Sequence, residues 1–329
     1  MNLSVASVTV AYNAASVLPR QLDALLRQTR PLQEIVVVDN GSTDGTGRLL
    51  AERYPEVKVL RLSENCGVGG GLATGLAYAA PGKRHDWVWT FDQDSVPSDD
   101  ALEILLDGVA SLGDLDGELG MVAPLPVHRE TGTYYPPLLW DDGFVRPTAE
   151  LLSQPIWFAD LVISSGCMVR CDLVERIGLP RADFFLDFID FEYCLRARRN
   201  GYKIAVVTGS QLAHEIGSAR KVRFLGQLRV WSEHEPWREY YKSRNITYAA
   251  WWLHPSLRAK RFVIRYLARH ACGLLLFGSN KPTCLKRLFQ GFWDGRSATL
   301  GIRFRPDGPS PRSEEDRADA AENTEAREA

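Results

Sequence analysis

Short apolar runs alternate with amphipathic segments through the first 125 residues of the chain. Five runs are rich in β-branched and aromatic residues, as buried strands are: VASVTVAY, EIVVVD, VKVLRL, WVWTF and LGMVAP. Apolar positions recur at helical spacing in the segments between them, at 17–29, 43–53, 69–80 and 99–112. Strands that alternate with helices are typical of a mostly parallel central sheet flanked by helices, so the pattern predicts an α/β fold.

The pattern loosens after residue 125, where the turn-rich stretch HRETGTYYPPLLWDDG precedes WFADLVISSGCMVR. Farther on, a helix is predicted over about 188–200, ended by Asn200 and Gly201. A strand is predicted over about 203–208.

Charge is unevenly distributed, although the net charge is only −2. Eleven Lys or Arg residues stand against one acid, Asp294, over 258–305. Residues 306–329 carry eight acids, three arginines and no large apolar side chain. Such a segment cannot bury enough apolar surface to offset its chain entropy, so we expect a disordered acidic tail.

Polar side chains follow four of the predicted strands at their carboxyl ends, where open α/β sheets bind ligands. These side chains are Tyr12 and Asn13, Asp39 and Asn40, Asn65, and Asp92 with Asp94. Because the carboxyl ends of parallel strands meet at one edge of a sheet, the pattern predicts a single binding crevice.

Asp92 and Asp94 form a carboxylate pair separated by one residue. Such a pair can hold a divalent cation and, through it, a diphosphate, because hard oxygen ligands suit Mg²⁺ and Mn²⁺. A turn that caps the following helix is the structural alternative. Ser98 and Asp99 are better placed to supply that cap, so capping does not explain the acidic pair.

Asp39 precedes a glycine-rich turn, where its carboxylate can accept hydrogen bonds from a nucleotide base or ribose. A simple strand-to-helix turn capped by Ser42 or Thr43 explains the same residues. The later stretch NCGVGGG has Leu72 where the dinucleotide fingerprint needs glycine, which disfavours a nucleotide-binding oxidoreductase. We expect these glycines to let the backbone approach a ligand closely.

The segment FLDFIDFEYCLRA places acids among aromatic residues. On a helix Asp187 and Asp190 share a face, whereas Glu192 points elsewhere. Partial desolvation raises the proton affinity of a carboxylate and makes it a suitable general base. The alternative is that the helix dipole favours acids at this N-terminus. His214, just after a strand, is either a packing residue or a third metal ligand beside Asp94.

Together, VAYN, VVVDNGSTDGT, FDQDS and DFIDFEYCLRARRNGYKI followed by a histidine resemble the inverting family-2 glycosyltransferases of GT-A fold. The likeness is closest to the branch of bacterial rhamnosyltransferases and galactofuranosyltransferases, and it runs from about residue 4 to 250. We therefore expect a GT-A catalytic domain over 1–250, with a nucleotide-binding half (1–125) and an acceptor half (126–250). A basic helical extension over 251–305 follows.

The resemblance implies a role for each motif. It implies donor binding by Tyr12, Asn13, Asp39, Asn65, Asp92 and Gln93, and a metal site for Mg²⁺ or Mn²⁺ formed by Asp92, Asp94 and His214. Asp190 matches the catalytic base. Acceptor contacts are expected from Ser165, Gly166 and Glu192, and contacts with the donor phosphates from Tyr240, Tyr241 and Arg244.

Gln93 at the centre of the acidic motif resembles rhamnosyltransferase members and favours dTDP-rhamnose as the nucleotide-sugar donor. The acceptor would be a hydroxyl of a growing cell-surface polysaccharide or a polyprenyl-diphosphate-linked glycan. The alternatives are transfer of galactofuranose or another hexose and, outside this chemistry, a non-catalytic sugar-nucleotide-binding protein.

The N-terminus lacks a basic signal region, and the six cysteines form no CxxC pair, so we expect a cytoplasmic protein with reduced thiols. Arg258, Arg261, Arg265 and Arg269 share one helical stripe, and Phe262, Val263, Tyr266 and Leu267 share another. Such a helix can lie on an anionic membrane surface, here the inner face of the plasma membrane. The alternatives are a solvated helix and one packed on the catalytic domain. The aromatic pattern does not indicate nucleic-acid binding.

Overall fold

A computed structural model describes residues 3–113, 115, 117–128, 137–214, 219–224, 227–232, 234–306 and 308–309. The first half contains β1 Val5–Ala11, α1 Leu18–Leu26, β2 Glu34–Asn40, α2 Thr46–Arg53, β3 Lys58–Leu62, α3 Gly67–Ala79, β4 Trp87–Asp92, β5 Val96–Pro97, α4 Ala101–Ser111, β6 Leu119–His128, β7 Leu139–Trp140, β8 Phe144–Val145, α5 Ala149–Leu152 and β9 Ile156–Ala159. The second half contains β10 Cys167–Arg170, α6 Cys171–Ile177, α7 Ile189–Arg199, β11 Lys203–His214, β12 Ala219–Phe224, β13 Gln227–Ser232, α8 Pro236–Tyr248, α9 Leu257–Phe277, α10 Lys281–Arg296, β14 Phe304–Arg305 and β15 Gly308–Pro309.

A nine-stranded sheet organises the described part of the chain, in the order β3-β2-β1-β4-β10-β6-β11-β5, with β9 also paired to β11. Strands β1 to β4 run parallel to one another where they pair, and β6 is parallel to β11. The expected α/β architecture with a mostly parallel sheet is therefore confirmed. The prediction missed β10, a four-residue strand that lies antiparallel between β4 and β6.

The two faces of the sheet bury separate apolar layers, as the alternation along β4 shows. Trp87, Trp89 and Phe91 point to the layer that α1, α2 and α4 cover. Val88 points to the opposite layer, which contains α3, α6 and α7. Successive side chains of a strand alternate between faces, so a strand covered on both sides has a continuous apolar sequence.

The glycines of α3 bring this helix close to the sheet. A methyl group on Gly71 would lie 2.4 Å from Val10 Cγ1, and one on Gly75 would lie 2.2 Å from Val8 Cγ1. Only glycine leaves room for this approach. These glycines pack against strand side chains, so our expectation that the cluster faces a ligand is wrong for these two positions.

The C-terminal helices pack on one another and on preceding parts of the chain. Gly291 and Gly295 of α10 allow contact with α8, because a methyl group on either would lie 2.2–2.3 Å from a carbonyl oxygen of that helix. On α9, Val263 and Leu267 are buried. The ring of Phe262 packs edge-on against Phe144 at 5.2 Å. This apolar stripe therefore packs on the protein and does not face a membrane.

Among the described residues, no helix has the length and apolar character needed to cross a bilayer. From residue 310 onward, the predicted acidic tail lies outside the residues that the structure describes. The division of the chain into a catalytic domain and an extension stays a prediction.

Candidate active site

A cleft of about 370 Å³ lies at the carboxyl ends of β1, β2 and β4. The strand ends and the loop after β3 contribute Tyr12, Asn40, Asn65, Asp92, Gln93 and Asp94 to its walls. The second half of the chain contributes Phe185, Leu186, Trp237 and Arg238. The structure thus brings together most of the polar residues that the strand-end pattern singled out.

Buried hydrogen bonds fix the turn that carries the acidic pair. The backbone N–H of Asp92 donates to Ser165 Oγ at 3.1 Å, and Ser165 Oγ donates to Ser95 Oγ at 2.6 Å. The side chain of Gln21 donates to the carbonyl oxygens of Asp92 and Ser95. Because these partners bind the backbone of the turn, the carboxylates at its ends can point into the cleft.

Ser165 and Gly166 have structural roles here, and the acceptor role that we expected of them stays a prediction. Ser165 is buried and holds the Asp92 turn. Gly166 has a positive φ of 77°, and its N–H donates to the carbonyl oxygen of Thr90 at 2.7 Å. Both residues belong to the turn into β10, the strand that the sequence pattern did not reveal.

Gln93 turns back and accepts a hydrogen bond from the N–H of Tyr12 at 2.7 Å through Oε1. Asn40 is buried and donates to Asn65 Oδ1 at 3.3 Å and to the carbonyl oxygen of Gly67 at 3.0 Å. The strand-end pattern predicted Asn40 at the crevice, although the family resemblance gave it no role. These amides link neighbouring strand ends into one rigid rim.

Asn13 and Asp39 hold the turn after β2. Asn13 Oδ1 accepts a hydrogen bond from the N–H of Thr43 at 2.8 Å, and Asp39 Oδ1 accepts one from the N–H of Ser42 at 3.0 Å. Each side chain thus binds the backbone of this turn through one oxygen, whereas the predicted cap at Ser42 or Thr43 is wrong because α2 begins after Gly45 with no side-chain cap. Their nucleotide-binding role stays a prediction.

Asp190 is the second residue of α7 and lines a narrow cavity of about 20 Å³ beside Thr90, Ser164 and Tyr193. Burial and, to a lesser extent, the charges of Asp92 and Asp187 together raise the pKa of Asp190 to about 7, although the N–H of Phe191, 2.9 Å from Oδ1, opposes the shift. The influence of Asp92 places Asp190 in the same charged neighbourhood as the acidic pair.

The loop before Asp190 has an unusual backbone. Phe185, Asp187 and Phe188 have φ values of 63°, 59° and 65°, in the left-handed region that residues other than glycine seldom adopt. Such conformations cost on the order of 1–3 kcal/mol each and persist where the surroundings enforce them. They frequently mark functional sites, and this loop leads directly to the catalytic candidate.

Helix α8 enforces that conformation. Asn245 Nδ2 lies 3.0, 2.6 and 2.8 Å from the carbonyl oxygens of Phe184, Leu186 and Asp187. Arg244 Nη2 donates to the carbonyl oxygens of Asp183 and Phe184, both at 2.9 Å. Both side chains are fully buried, so their hydrogen bonds hold the backbone of the loop from the protein interior.

Arg244 is therefore not positioned to contact donor phosphates, and neither are Tyr240 and Tyr241. The Tyr240 hydroxyl donates to Asp294 Oδ2 at 2.6 Å, and the Tyr241 hydroxyl donates to the carbonyl oxygen of Phe304 at 2.8 Å. The three side chains are at most 1% exposed. Their assignment to the donor phosphates stays a prediction, and these contacts disfavour it because α10 and the chain near residue 304 cover this part of α8.

Glu192 also differs from expectation. Its side chain is 4% exposed and lies 2.9 Å from Arg196 Nη2, one turn along the helix. Burial raises its pKa, and the charges of Arg196 and Arg181 oppose that shift. Glu192 thus forms an internal ion pair of α7, so an acceptor contact would require that pair to open.

Arg238, which we did not predict, lines the cleft. Its Nε and Nη2 lie 3.2 and 3.0 Å from the two carboxylate oxygens of Asp187. The charges of Asp187 and then Asp92 raise its pKa. A guanidinium beside the acidic pair can bind phosphate oxygens, since its fork geometry matches them.

The residues present fit a hard divalent cation. Asp92 and Asp94 offer carboxylate oxygens, and Mg²⁺ or Mn²⁺ commonly takes one or two carboxylates together with water and substrate phosphates. Among side chains that the structure describes, no group of three or more metal-binding residues occurs. The side chain of His214, the expected third ligand, lies outside the described set.

One family model and several curated proteins match this chain. Residues 7–122 match the model for glycosyl transferase family 2. The chain is 26% identical over 309 residues to the dTDP-rhamnosyl transferase RfbF of Shigella flexneri, which covers 92% of this chain and 99% of that protein. It is also 26% identical to the galactofuranosyltransferase GlfT1 of Mycobacterium tuberculosis, over 75% of this chain and 82% of that protein.

A third relative and two solved structures extend the likeness. The N-acetylglucosaminyl-diphospho-decaprenol L-rhamnosyltransferase of Mycobacterium tuberculosis is 25% identical, over 63% of this chain and 74% of its own length. Staphylococcus aureus TarS 1–349 in complex with UDP superposes with a TM-score of 0.57 at 16% identity, covering 91% of this chain and 83% of TarS. The structure of GalNAc-T7 with UDP, GalNAc and Mn²⁺ superposes with a TM-score of 0.59 at 17% identity. The match covers 90% of this chain and 56% of the GalNAc-T7 chain. The protein is thus a glycosyltransferase of GT-A fold that carries a glycosyl transferase family 2 domain over residues 7–122 and is similar to rhamnosyltransferases and galactofuranosyltransferases.

Proposed function

We propose that the protein transfers L-rhamnose from dTDP-rhamnose to a hydroxyl of a polysaccharide or lipid-linked glycan, with inversion at the anomeric carbon. One observation supports this proposal: the acidic pair and Arg238 line one cleft at the carboxyl ends of the strands, and Asp190 lies near enough for the charge of Asp92 to raise its pKa. Asp92, Asp94 and Arg238 can bind a diphosphate, directly or through a cation. Asp190 can accept a proton from an alcohol.

At the donor end, Asp92 and Asp94 would hold Mg²⁺ or Mn²⁺, which when bound stabilises the negative charge of the departing diphosphate as a Lewis acid. Arg238 adds a fixed positive charge beside them. Asp187 orients its guanidinium through two hydrogen bonds. A fixed charge acts more strongly on a bound diphosphate in a site that excludes water than in bulk solvent.

On the acceptor side, Asp190 removes the proton from the attacking hydroxyl. Its pKa near 7 makes it a stronger base than an ordinary carboxylate, yet half of it remains ionised near neutral pH. The oxygen then attacks the anomeric carbon from the face opposite the diphosphate. A single displacement of this kind inverts the configuration.

The choice of donor and acceptor rests on the named relatives. Two of those described above are called rhamnosyltransferases, and one of these names a diphospho-decaprenol acceptor. The galactofuranosyltransferase relatives support the second candidate, a galactofuranose donor.

We expect dTDP-rhamnose with Mn²⁺ to raise the melting temperature by several degrees, because a ligand at a hundred times its Kd stabilises the folded state by about 2.7 kcal/mol. UDP-galactofuranose, UDP-glucose and GDP-mannose should give smaller shifts. Asp94→Ala should weaken the affinity for the donor in the presence of Mn²⁺ by at least about tenfold. Calorimetry measures this affinity. A larger rise in melting temperature with UDP-galactofuranose than with dTDP-rhamnose would show that UDP-galactofuranose is the preferred donor. An unchanged affinity of the Asp94 variant would contradict the metal assignment.

Replacing Arg238 with alanine should weaken donor binding by about ten- to a hundredfold, because a hydrogen bond to a charged group contributes about 1.5–3 kcal/mol. The loss should be as large for free dTDP as for dTDP-rhamnose, since the contact is to phosphate. Arg48→Ala is the control, because it removes an exposed arginine from the same half of the protein as the donor site. A substitution of Arg244 would not serve, because that arginine is buried. Equal dTDP affinity in wild type and Arg238→Ala would exclude the phosphate contact.

A further inference from the structure

Exposed large apolar side chains concentrate in the C-terminal helices. Of the twelve that are exposed among the described residues, seven lie between positions 252 and 293: Trp252, Leu257, Ile264, Leu275, Leu276, Phe289 and Trp293. Single exposed apolar residues are ordinary on protein surfaces, but a local concentration marks an interaction site.

The outer face of α9 combines this apolar surface with positive charge. Leu257, Ile264 and Leu275 are separated by seven and eleven residues, close to two and three helical turns, so they form one stripe. Arg258 and Arg265 share an adjacent stripe that is also exposed. The inner face of the helix is the one that packs on the protein, so the outer face is available.

Helix α10 presents a second exposed stripe in which aromatic and basic residues alternate. Phe289 and Trp293 are 63% and 46% exposed and lie one turn apart. Lys286 precedes them, and the Arg296 guanidinium lies 5.3 Å from the centre of the Trp293 ring. The indole N–H of Trp252 donates to the carbonyl oxygen of Arg296 at 3.1 Å, which brings a third exposed aromatic residue to this end of the helix.

The charge of these helices selects an anionic partner. Helix α9 contains no acidic residue, and the one acid of α10, Asp294, is bound to Arg303 and the Tyr240 hydroxyl. Exposed arginine and lysine beside leucine, phenylalanine and tryptophan is the composition of helices that lie in a bilayer interface.

We propose that the outer faces of α9 and α10, which we call the extension face, dock this protein onto the surface of an anionic lipid bilayer. The arginines and lysine contact lipid phosphates while Ile264, Leu275, Phe289 and Trp293 enter the headgroup boundary. This docking does not depend on which sugar the cleft transfers. It differs from the membrane contact that the sequence pattern predicted, because Phe262, Val263, Tyr266 and Leu267 face inward.

Co-sedimentation of the full chain with vesicles tests the proposal. Vesicles of phosphatidylcholine mixed with phosphatidylglycerol should bind the protein at least tenfold more tightly than phosphatidylcholine alone, because each surface arginine contributes substantially to binding at an anionic leaflet. The double variant Arg261→Glu/Arg265→Glu should lose at least about tenfold of that affinity. The double variant Phe289→Ser/Trp293→Ser should bind more weakly and release fully at high salt.

Controls separate docking from other effects. Arg27→Glu/Arg48→Glu reverses two exposed charges on another surface and should bind vesicles as the wild type does. Transfer to a soluble acceptor should be unchanged in both extension variants, so a failure of docking is distinct from a failure of the proposed chemistry. Equal binding to neutral and anionic vesicles, or binding to neither, would overturn the proposal. So would a dimer in sedimentation velocity that Phe289→Ser/Trp293→Ser abolishes while vesicle binding persists.

Discussion

Asp190→Asn is expected to lower kcat by about 10²- to 10⁴-fold while leaving the Kd for dTDP-rhamnose nearly unchanged. The amide keeps the size of the side chain but cannot accept the acceptor's proton, whereas the donor contacts lie with Asp92, Asp94 and Arg238. Single-turnover transfer and donor calorimetry measure the two quantities separately. Asp172→Asn is a matched control, because Asp172 is likewise the second residue of a helix, α6, and is exposed. If the Asp172 variant lost as much activity, the general-base role would be wrong.

The pH dependence follows from the same carboxyl group. The pKa of Asp190 is raised to about 7, so the wild-type kcat should rise as pH passes upward through 7 and the base becomes ionised. Stability should change in the opposite sense. Ionising a buried carboxylate opposes folding, so the contribution of Asp190 to stability falls between about pH 4 and 7. Asp190→Asn removes this charge and should stabilise the protein above pH 7 by about 1–3 kcal/mol, less than full burial would give because the residue keeps some exposure. A flat pH profile for kcat would contradict the assignment.

Asn245→Ala should destabilise the protein by about 2–4 kcal/mol and lower kcat by about a hundredfold. The substitution leaves buried carbonyl oxygens without their donor, each at a cost of about 1–3 kcal/mol. It also releases the left-handed loop that positions Asp190, and misplacement of a catalytic group by about 1 Å can cost about a hundredfold in rate. Urea unfolding and single-turnover kinetics measure the two effects.

The isosteric Asn245→Asp should be at least as harmful, because a carboxylate would face the same carbonyl oxygens without a hydrogen to donate. Asn200→Ala provides the comparison: Asn200 Nδ2 also donates to a carbonyl oxygen, that of Arg196 at 2.9 Å, but the residue is exposed at the end of α7. Its loss should change stability by less than about 1 kcal/mol. Wild-type kinetics in Asn245→Ala would show that the loop keeps its conformation without this support.

The sequence pattern predicted the sheet well because its strands are buried on both faces and therefore have unbroken apolar sequences. The strand ends at Tyr12, Asn65 and Asp92 meet in one cleft for the same topological reason. Strand β10 was missed because four residues carry too little periodicity, and its neighbours in the sheet are remote in sequence.

Side-chain direction on α8 was the harder problem. The segment WREYYKSRN offers two arginines six residues apart, and we expected the second to face the phosphates. Helix α8 is enclosed by α10 and by the loop before α7, so polar residues on its inner turns bind backbone instead of substrate. Only its first turn, with Trp237 and Arg238, reaches the cleft. Periodicity cannot distinguish these positions, since both faces of such a helix are covered.

A crystal structure of the Asp190→Asn variant with dTDP-rhamnose and Mn²⁺ would test most directly whether the acids at the end of β4 and the acid of α7 act on one substrate. We predict that the metal ion will contact Asp92 or Asp94, that the diphosphate will lie beside Arg238, and that the anomeric carbon will face the side chain at position 190. Binding of the nucleotide sugar in another cavity, such as the one lined by His85, Asp86 and Arg170 at the opposite end of β4, would contradict the account.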